Sequence, residues 1–268
     1  MNIKAINLMD NIDSYLYNAF TFGKNNIFDD KNKKNVNNLT SGVVLGDPVT
    51  VIADSNVAVY PLYEPKVSRS NYHYNSTHNA LTTLIEDYIK PQGLAESIPN
   101  FEYLELFSKL QDQILTNEFT SKTYLAYLKL TSYLHLYKFD TKAEDLIAFI
   151  EGKKANVAVT NYMNYTNKYI VKAVSQPALI HSDKFGVVGV VTVDSYMQLV
   201  GKALANDADI AVVHKGNFVM LCFSHKAKNK DEFIKLLTER YDQQGDFVTF
   251  FLDGVETDFI VSALERMI

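Results

Sequence analysis

The stretch FGVVGVVTVDSYMQLVGKALANDADIAVVHKGNFVMLCF, residues 185–223, decides the fold. Residues 185–193 form a short apolar run rich in β-branched side chains, which predicts a strand. Asp194 follows as a predicted helix N-cap, before apolar residues at helical spacing. Residues 209–213 and 218–223 are again apolar runs, separated by the turn residues Lys-Gly-Asn. They predict a buried strand and the return strand of a hairpin.

The same alternation continues to the end of the chain. DEFIKLLTERY (231–241) carries apolar residues at helical spacing, and FVTFFL (247–252) is typical of a strand. DFIVSALERM (258–267) predicts a closing helix. Strands that alternate with helices predict an α/β layer in which helices pack on a sheet.

The first two thirds of the chain predict a second α/β lobe with a helical connector. KAINLM (4–9) indicates a strand, NIDSYLYNAFTF (11–22) a helix, and residues 41–65 two or three short strands. Residues 75–152 are helical by their apolar spacing. We therefore expect an N-terminal domain over 1–176 and a smaller C-terminal α/β domain over 185–268, with the boundary near 177–184.

Composition limits the classes of function. The 268 residues are 47% hydrophobic, which is enough for a large core, and we find no run of about 18 apolar residues. We therefore predict no membrane span, and because the first residues lack the apolar centre of a signal peptide we expect a cytoplasmic location. The net charge of −5 argues against a large electrostatic footprint for duplex nucleic acid.

Two further features of the composition bear on chemistry. A single cysteine, Cys222, excludes an intrachain disulfide and a cysteine-based zinc cluster, and its apolar strand predicts a buried, inert thiol. Seventeen Tyr and sixteen Phe are present without any Trp. They offer stacking surfaces for bases, but packing in the core is the prediction for most of them. The sequence contains no phosphate-binding P-loop, dinucleotide fingerprint, nucleophile elbow or HExxH motif.

The order of elements over 185–252 resembles the DHHA1-type substrate domain of the DHH phosphoesterase family. That family includes RecJ-like exonucleases, small-oligonucleotide ribonucleases, cyclic dinucleotide phosphodiesterases and family II pyrophosphatases. Its hairpin ends in an Arg-Ser pair and a glycine-rich GGGH segment follows, whereas this chain has Phe-Ser-His at 223–225 and Tyr-Asp-Gln-Gln-Gly-Asp at 241–246. The resemblance implies substrate contacts at Ser224, His225 and Gly245, without the arginine that would grip a phosphate.

The N-terminal part resembles the catalytic DHH domain. Met-Asp-Asn-Ile-Asp-Ser at 9–14 follows the first predicted strand, as the acidic motif of the family does. Asp47 follows VVLG in the place of a second aspartate, and Asp54 is the nearest counterpart of the Asp-His-His motif, here without histidine. The resemblance implies a metal site of Asp10, Asp13, Asp47 and Asp54, with Asp10 and Asp13 as catalytic candidates and Mn²⁺ or Mg²⁺ as the metal of an active enzyme.

Alternatives stay open for each of these side chains. Aspartates at strand ends also form turns and helix caps. His73 and His78 lie in a polar segment just before a predicted helix, where they serve either as nitrogen ligands or as surface residues.

Three functions follow from the resemblance. The first is a diverged member, a pseudoenzyme that has lost the usual metal site and binds a nucleotide, a short single-stranded nucleic acid or a protein partner. The second is an active metal-dependent phosphodiesterase on short oligonucleotides or cyclic nucleotides. The third is an assembly protein, with a second copy of the chain or another protein as its partner.

Overall fold

The computed structural model describes residues 5–7, 11–21, 41–46, 52, 54–66, 69–116, 119–252 and 260–267. The chain divides into two compact units. The first comprises Met1–Gln113 and Thr120–Asn161, and the second Ile114–Phe119 and Tyr162–Ile268. Asp10 and Asp47 lie outside the described residues.

The first unit contains a parallel three-stranded sheet in the order β1-β2-β3, formed by Ala5–Asn7, Gly42–Leu45 and Val57–Tyr60. The strand at the start of the chain and the short strands within 41–65 are therefore confirmed. Val43, Val44 and Leu45 are fully buried, because a parallel strand is covered on both faces. Helix α1 (Ile12–Thr21) follows β1 and buries Leu16 and Phe20.

The remainder of the first unit is helical, as the apolar spacing predicts. The bounds are α2 Ala80–Leu84, a π-helical turn Ile85–Ile89, α3 Phe101–Leu115, α4 Ser121–Tyr137, α5 Ala143–Ile150 and α6 Val157–Val174, with 3₁₀ turns at Ala95–Ser97 and Lys138–Asp140. Helix α6 begins in the first unit and ends in the second. Tyr60, Phe20 and Phe107 are among the largest fully buried side chains, so these aromatics fill the core.

The second unit is built on a six-stranded sheet in the order β4-β5-β6-β7-β9-β8. The strands are β4 Ala178–Ser182, β5 Gly186–Thr192, β6 Ile210–Lys215, β7 Phe218–Phe223, β8 Asp242–Gln244 and β9 Phe247–Phe251. Only β5 and β6 pair in parallel, and α7 (Met197–Leu204) connects them. Helices α8 (Lys230–Leu237) and α9 (Ile260–Met267) complete the α/β layer that the sequence predicts.

Local details differ from the predictions. Helix α7 begins at Met197, and the residue before it is Tyr196 in the left-handed region, so the prediction of Asp194 as N-cap is wrong. The backbone N–H of Asp194 instead donates to the Tyr169 hydroxyl at 2.8 Å. Helix α8 ends at Leu237, before 241, because the following residues turn to form the edge strand β8. Residues 177–184 contain the edge strand β4.

Two predictions from composition can be compared with the structure. Cys222 is fully buried in β7, so the predicted burial of the cysteine is confirmed, and burial raises the pKa of its thiol to about 12. Within the described ranges, none of the helices has the length and apolar character required to cross a membrane.

Candidate functional site

Asp13 occupies an enclosed position in the first unit. It lies in the first turn of α1, directly after the carboxyl end of β1, and is only 3% exposed. Its carboxyl group interacts with the backbone N–H groups of Ala80 and Leu81, at the start of α2, and with the side chain of Gln111 on α3. These contacts favour the charged form, but burial and the nearby Asp112 outweigh them and raise the pKa of Asp13 to about 7.

Asp112 on α3 uses both of its carboxylate oxygens inside the protein. Oδ1 accepts hydrogen bonds from the backbone N and the side-chain Nδ2 of Asn79, each at 2.7 Å. Oδ2 lies 2.9 Å from Nδ1 of His78. Burial raises the pKa of Asp112, while the bonds from Asn79 and His78 act in the opposite direction. Asp112 is 8% exposed, so it contributes a buried and hydrogen-bonded acid next to Asp13.

Asn79 links α2 to α3 through hydrogen bonds. As the N-cap of α2, its Oδ1 accepts the backbone N–H of Thr82 at 2.8 Å. Its Nδ2 also donates to the carbonyl of Ser108 at 2.9 Å, and the hydroxyls of Thr82 and Ser108 are 2.6 Å apart. Every one of these side chains is buried, so the hydrogen bonds offset the cost of removing them from water.

Two histidines and the two acids beside them form the accessible part of the cluster. The Nε2 of His78 is 4.0 Å from Oε2 of Glu86, and Nδ1 of His73 is 3.8 Å from Oδ2 of Asp87. The His73 ring stacks on Tyr60 with centroids 5.0 Å apart. Both histidine side chains are about one-third exposed. We call the set of Asp13, His73, His78, Glu86, Asp87 and Asp112 the acid–histidine cluster.

The backbone that carries Glu86 and Asp87 is unusual. Residues Ile85–Ile89 form a π-helical turn that continues α2. Such turns are rare and often accompany functional sites, because the extra residue in the turn changes the direction of the side chains. Here the turn carries Glu86 and Asp87, which lie 4.0 Å from His78 and 3.8 Å from His73, respectively.

Asp54 lies at the other edge of the sheet. It precedes β3, and its Oδ1 accepts the backbone N–H of Asn56 at 2.9 Å. Asn56 in turn accepts the backbone N–H of Gly42 at the start of β2. The strands are parallel, so Asp54 is at their amino edge while Asp13 follows a carboxyl end. Asp13 and Asp54 are therefore at opposite ends of the parallel strands, and Asp54 forms a turn before its strand. The metal site of Asp10, Asp13, Asp47 and Asp54 stays a prediction.

Ser224 and His225 follow the carboxyl end of β7 in the second unit. Ser224 is 7% exposed; its backbone N–H donates to the carbonyl of Asp209, and its Oγ accepts the backbone N–H of Lys226 at 3.2 Å. His225 is exposed. Ser224 thus stabilises the turn after β7, where its carbonyl also accepts the backbone N–H of Ala227.

Gly245 lies in the tight turn between β8 and β9. Its φ is +58°, and a Cβ at this position would be 2.0 Å from the carbonyl oxygen of Leu115. The next residue, Asp246, donates its backbone N–H to that oxygen at 2.7 Å and pairs through Oδ2 with Lys202 Nζ at 2.9 Å. Glycine is therefore required here because the backbone of Leu115 lies against this position.

The resemblance to the DHH family implies a divalent metal, which would need several side-chain oxygen or nitrogen atoms as ligands. Among the described residues, no group of three or more His, Cys, Asp or Glu side chains has a metal-binding arrangement. Oδ1 of Asp13 is buried and has no hydrogen-bond partner within the described part of the chain, but both oxygens of its neighbour Asp112 are already occupied. The described side chains do not fit a two-metal centre, which needs several free carboxylate oxygens.

Sequence reasoning named Asp13 and His78, which the structure brings into one cluster through Asp112, but it missed Asp112 itself. A carboxylate within the apolar spacing of LFSKLQDQIL was the available signal, because a buried acid needs a compensating partner. It also missed Glu86 and Asp87, since a π-helical turn has no recognisable sequence pattern.

The fold as a whole has counterparts among solved structures. No family model and no curated protein matches the sequence. The structure is similar to a DHH-domain protein described as a member of a family of ribosomal proteins, with TM-score 0.57, 10% identity, and coverage of 98% of this chain and 85% of the other. It is also similar to an exopolyphosphatase-related protein from Bacteroides fragilis, with TM-score 0.54, 10% identity, and coverage of 99% and 91%.

These similarities establish the class of fold. The protein has a DHH-like α/β fold, as the order of elements in the sequence predicts. At this level of identity the likeness concerns the fold, and the function has to be inferred from the side chains.

Proposed function

We propose that the protein binds a nucleotide or a short single-stranded oligonucleotide on a DHH-like fold, and that it has lost the two-metal centre and the hydrolytic activity of the family. The proposal rests on the hydrogen bonds of the Asp112 carboxylate, whose two oxygens accept them from Asn79 and His78 within the protein. A carboxylate that is saturated in this way has little capacity left for a bridging cation.

The state of Asp13 supports the same conclusion. Its side chain is enclosed by α2 and α3, and its pKa of about 7 leaves the carboxyl group largely protonated at slightly acid pH. Asp13 is therefore enclosed within the core of the first unit, away from solvent.

The ligand position follows from the topology of the sheet. Open α/β sheets bind ligands beyond the carboxyl ends of their strands. His73 and His78 follow β3 in the chain, and His78 is linked through Asp112 to Asp13 after β1. Their partly exposed rings provide nitrogen donors for a phosphate oxygen. A protein of similar fold is described as exopolyphosphatase-related, a name that refers to a phosphate-containing substrate.

Two residues of the second unit support the proposal that the substrate contacts of the family are lost. Ser224 serves a turn, and Gly245 is packed against Leu115, so the positions that resemble family contacts have internal partners. A backbone cradle for phosphate needs free N–H groups, and that of Asp246 is bonded to Leu115.

Fluorescence polarisation with a labelled single-stranded oligonucleotide tests the proposal, with gel analysis of the same samples in MnCl₂. We expect saturable binding without cleavage, and we expect His78→Gln to weaken binding about tenfold, which corresponds to about 1.4 kcal/mol. His225→Gln is the matched control, because it changes an exposed histidine of the second unit, and it should bind as the unchanged protein does. Manganese-dependent cleavage that Asp13→Asn abolishes would overturn the proposal.

One observation favours the alternative of an active metal-dependent phosphodiesterase. The Asp112–His78 contact directs Nδ1 of the histidine to a carboxylate, and in metal sites a carboxylate that does not itself bind the metal often orients a ligating histidine in this way. That alternative predicts manganese-dependent cleavage that His78→Gln removes. Cleavage that persists in both the Asp13→Asn and His78→Gln variants would exclude this site for either function.

A further inference from the structure

The second unit contains a cavity whose wall includes none of Ser224, His225 and Gly245. It has a volume of about 510 Å³, within the range of small-molecule sites, and opens between the last turns of α6, the sheet and the start of α9. Thr192, the last residue of β5, and its register partner His214 on β6 both line it. The cavity therefore lies at the carboxyl end of the parallel pair of strands. Ser224 is at the other end, where it bonds to Asp209 before β6.

The wall of the cavity combines polar and apolar side chains. Lys172 and Gln176 stand at the exposed rim, and Tyr169, Thr192 and His214 contribute further polar groups. None of the described residues that line the cavity is acidic, although the chain as a whole has a net charge of −5. The rest of the wall is apolar: Ala173, Ala178, Val190, Val191 and Val261.

The polar groups are held in place by contacts within the unit. The Thr192 hydroxyl is 2.9 Å from Nε2 of His214, whose side chain is buried, with a relative exposure of 3%. The Tyr169 hydroxyl accepts the backbone N–H of Asp194 at 2.8 Å, and its ring packs edge-on against Tyr196. The wall is thus a preformed surface on a sheet and a helix, which reduces the ordering cost of binding.

We propose that this cavity binds a small organic anion, with a carboxylate or phosphate head beside Lys172 and Thr192 and an apolar body against Val190, Val191 and Ala173. Lys172 and Thr192 both line the cavity and select an oxyanion, because an ammonium group and a hydroxyl can each donate a hydrogen bond to it. The apolar wall adds affinity in proportion to the area of ligand that it removes from water.

Isothermal titration calorimetry with four probes tests this proposal: benzoate, phenyl phosphate, inorganic phosphate and the neutral analogue benzamide. We expect benzoate, phenyl phosphate or both to bind, and benzamide to bind at least tenfold more weakly than the tighter of them, a difference of about 1.4 kcal/mol. The choice between benzoate and phenyl phosphate identifies the head group. Inorganic phosphate should bind more weakly than phenyl phosphate, because it lacks the apolar body.

Lys172→Gln should remove the preference for the anion with little effect on folding, because its side chain is exposed. Thr192→Val should weaken anion binding and also removes the hydrogen bond to the buried His214. Lys168→Gln is the matched control, one turn earlier on α6 and outside the cavity wall, and should leave the affinity unchanged. Equal binding of benzamide and benzoate, equal effects of the two lysine changes, or no heat with any organic probe would each overturn the proposal.

Discussion

The buried carboxyl of Asp13 leads to a prediction about stability and pH. In the folded protein its pKa is about 7, raised from 3.8 by burial and then by Asp112. In the unfolded chain the same group ionises near its ordinary value. Between these two values the unfolded state has released a proton that the folded state still holds, so the free energy of unfolding falls as pH rises. Below this window, and again above it, the contribution of Asp13 no longer changes with pH.

The size of the effect follows from the shift. Each pH unit within the window is equivalent to about 1.4 kcal/mol, so the rise from about pH 5 to about pH 7 removes at most about 2.7 kcal/mol. Asp13→Asn keeps a similar shape but cannot ionise. The variant should therefore gain stability relative to the unchanged protein as pH rises, by about 2 kcal/mol across this range.

Urea unfolding followed by circular dichroism between about pH 5 and pH 8 measures both stability curves. Asp145→Asn is the matched control: a hydrogen bond from Lys154 lowers the pKa of Asp145 from 3.8, so this group is ionised in both states throughout the range, and its variant should give a stability curve parallel to that of the unchanged protein. Stability curves that stay parallel for the unchanged protein and Asp13→Asn would refute the reasoning, since they would show that Asp13 ionises equally easily in both states.

Three further predictions concern the second unit and its controls. Gly245→Ala should cost about 2 kcal/mol or more in urea unfolding, because a Cβ would meet a backbone oxygen at 2.0 Å, whereas Gly152→Ala, at φ +75° with open space, should cost only about 1 kcal/mol. Lys202→Met should cost about 3 kcal/mol because it leaves a partly buried carboxylate without its cation, and the same change at the exposed Lys154 should cost less than about 1 kcal/mol. Cys222, with a pKa of about 12, should react with iodoacetamide only when the protein unfolds; rapid labelling of the native protein would contradict its burial.

The sequence predicts the second unit well because its strands are continuous apolar runs. The runs of β5, β6 and β7 are each bounded by turn residues, so their periodicity and length leave little ambiguity. Strand β8 escapes such reasoning, because Asp-Gln-Gln has no apolar pattern and pairs only through its backbone at the edge of the sheet. Strand β4 begins just after Pro177, although the sequence here indicates a boundary between domains.

The candidate site is less predictable than the fold. Asp13 is recognisable by its place after the first strand, but its partner Asp112 is 99 positions further along the chain and meets it only through the packing of α1, α2 and α3. Asp54 is misleading for a related reason. An aspartate close to an apolar run does not reveal which end of a strand it occupies, and here the strand begins after it.

Crystals grown with MnCl₂, with diffraction recorded at a wavelength where manganese scatters anomalously, test the loss of the metal centre most directly. We predict no anomalous peak within coordination distance of Asp13, and an Asp112 whose oxygens remain bonded to Asn79 and His78. A pair of manganese peaks bridged by the Asp13 carboxylate, with Asp112 turned away from Asn79, would contradict this account.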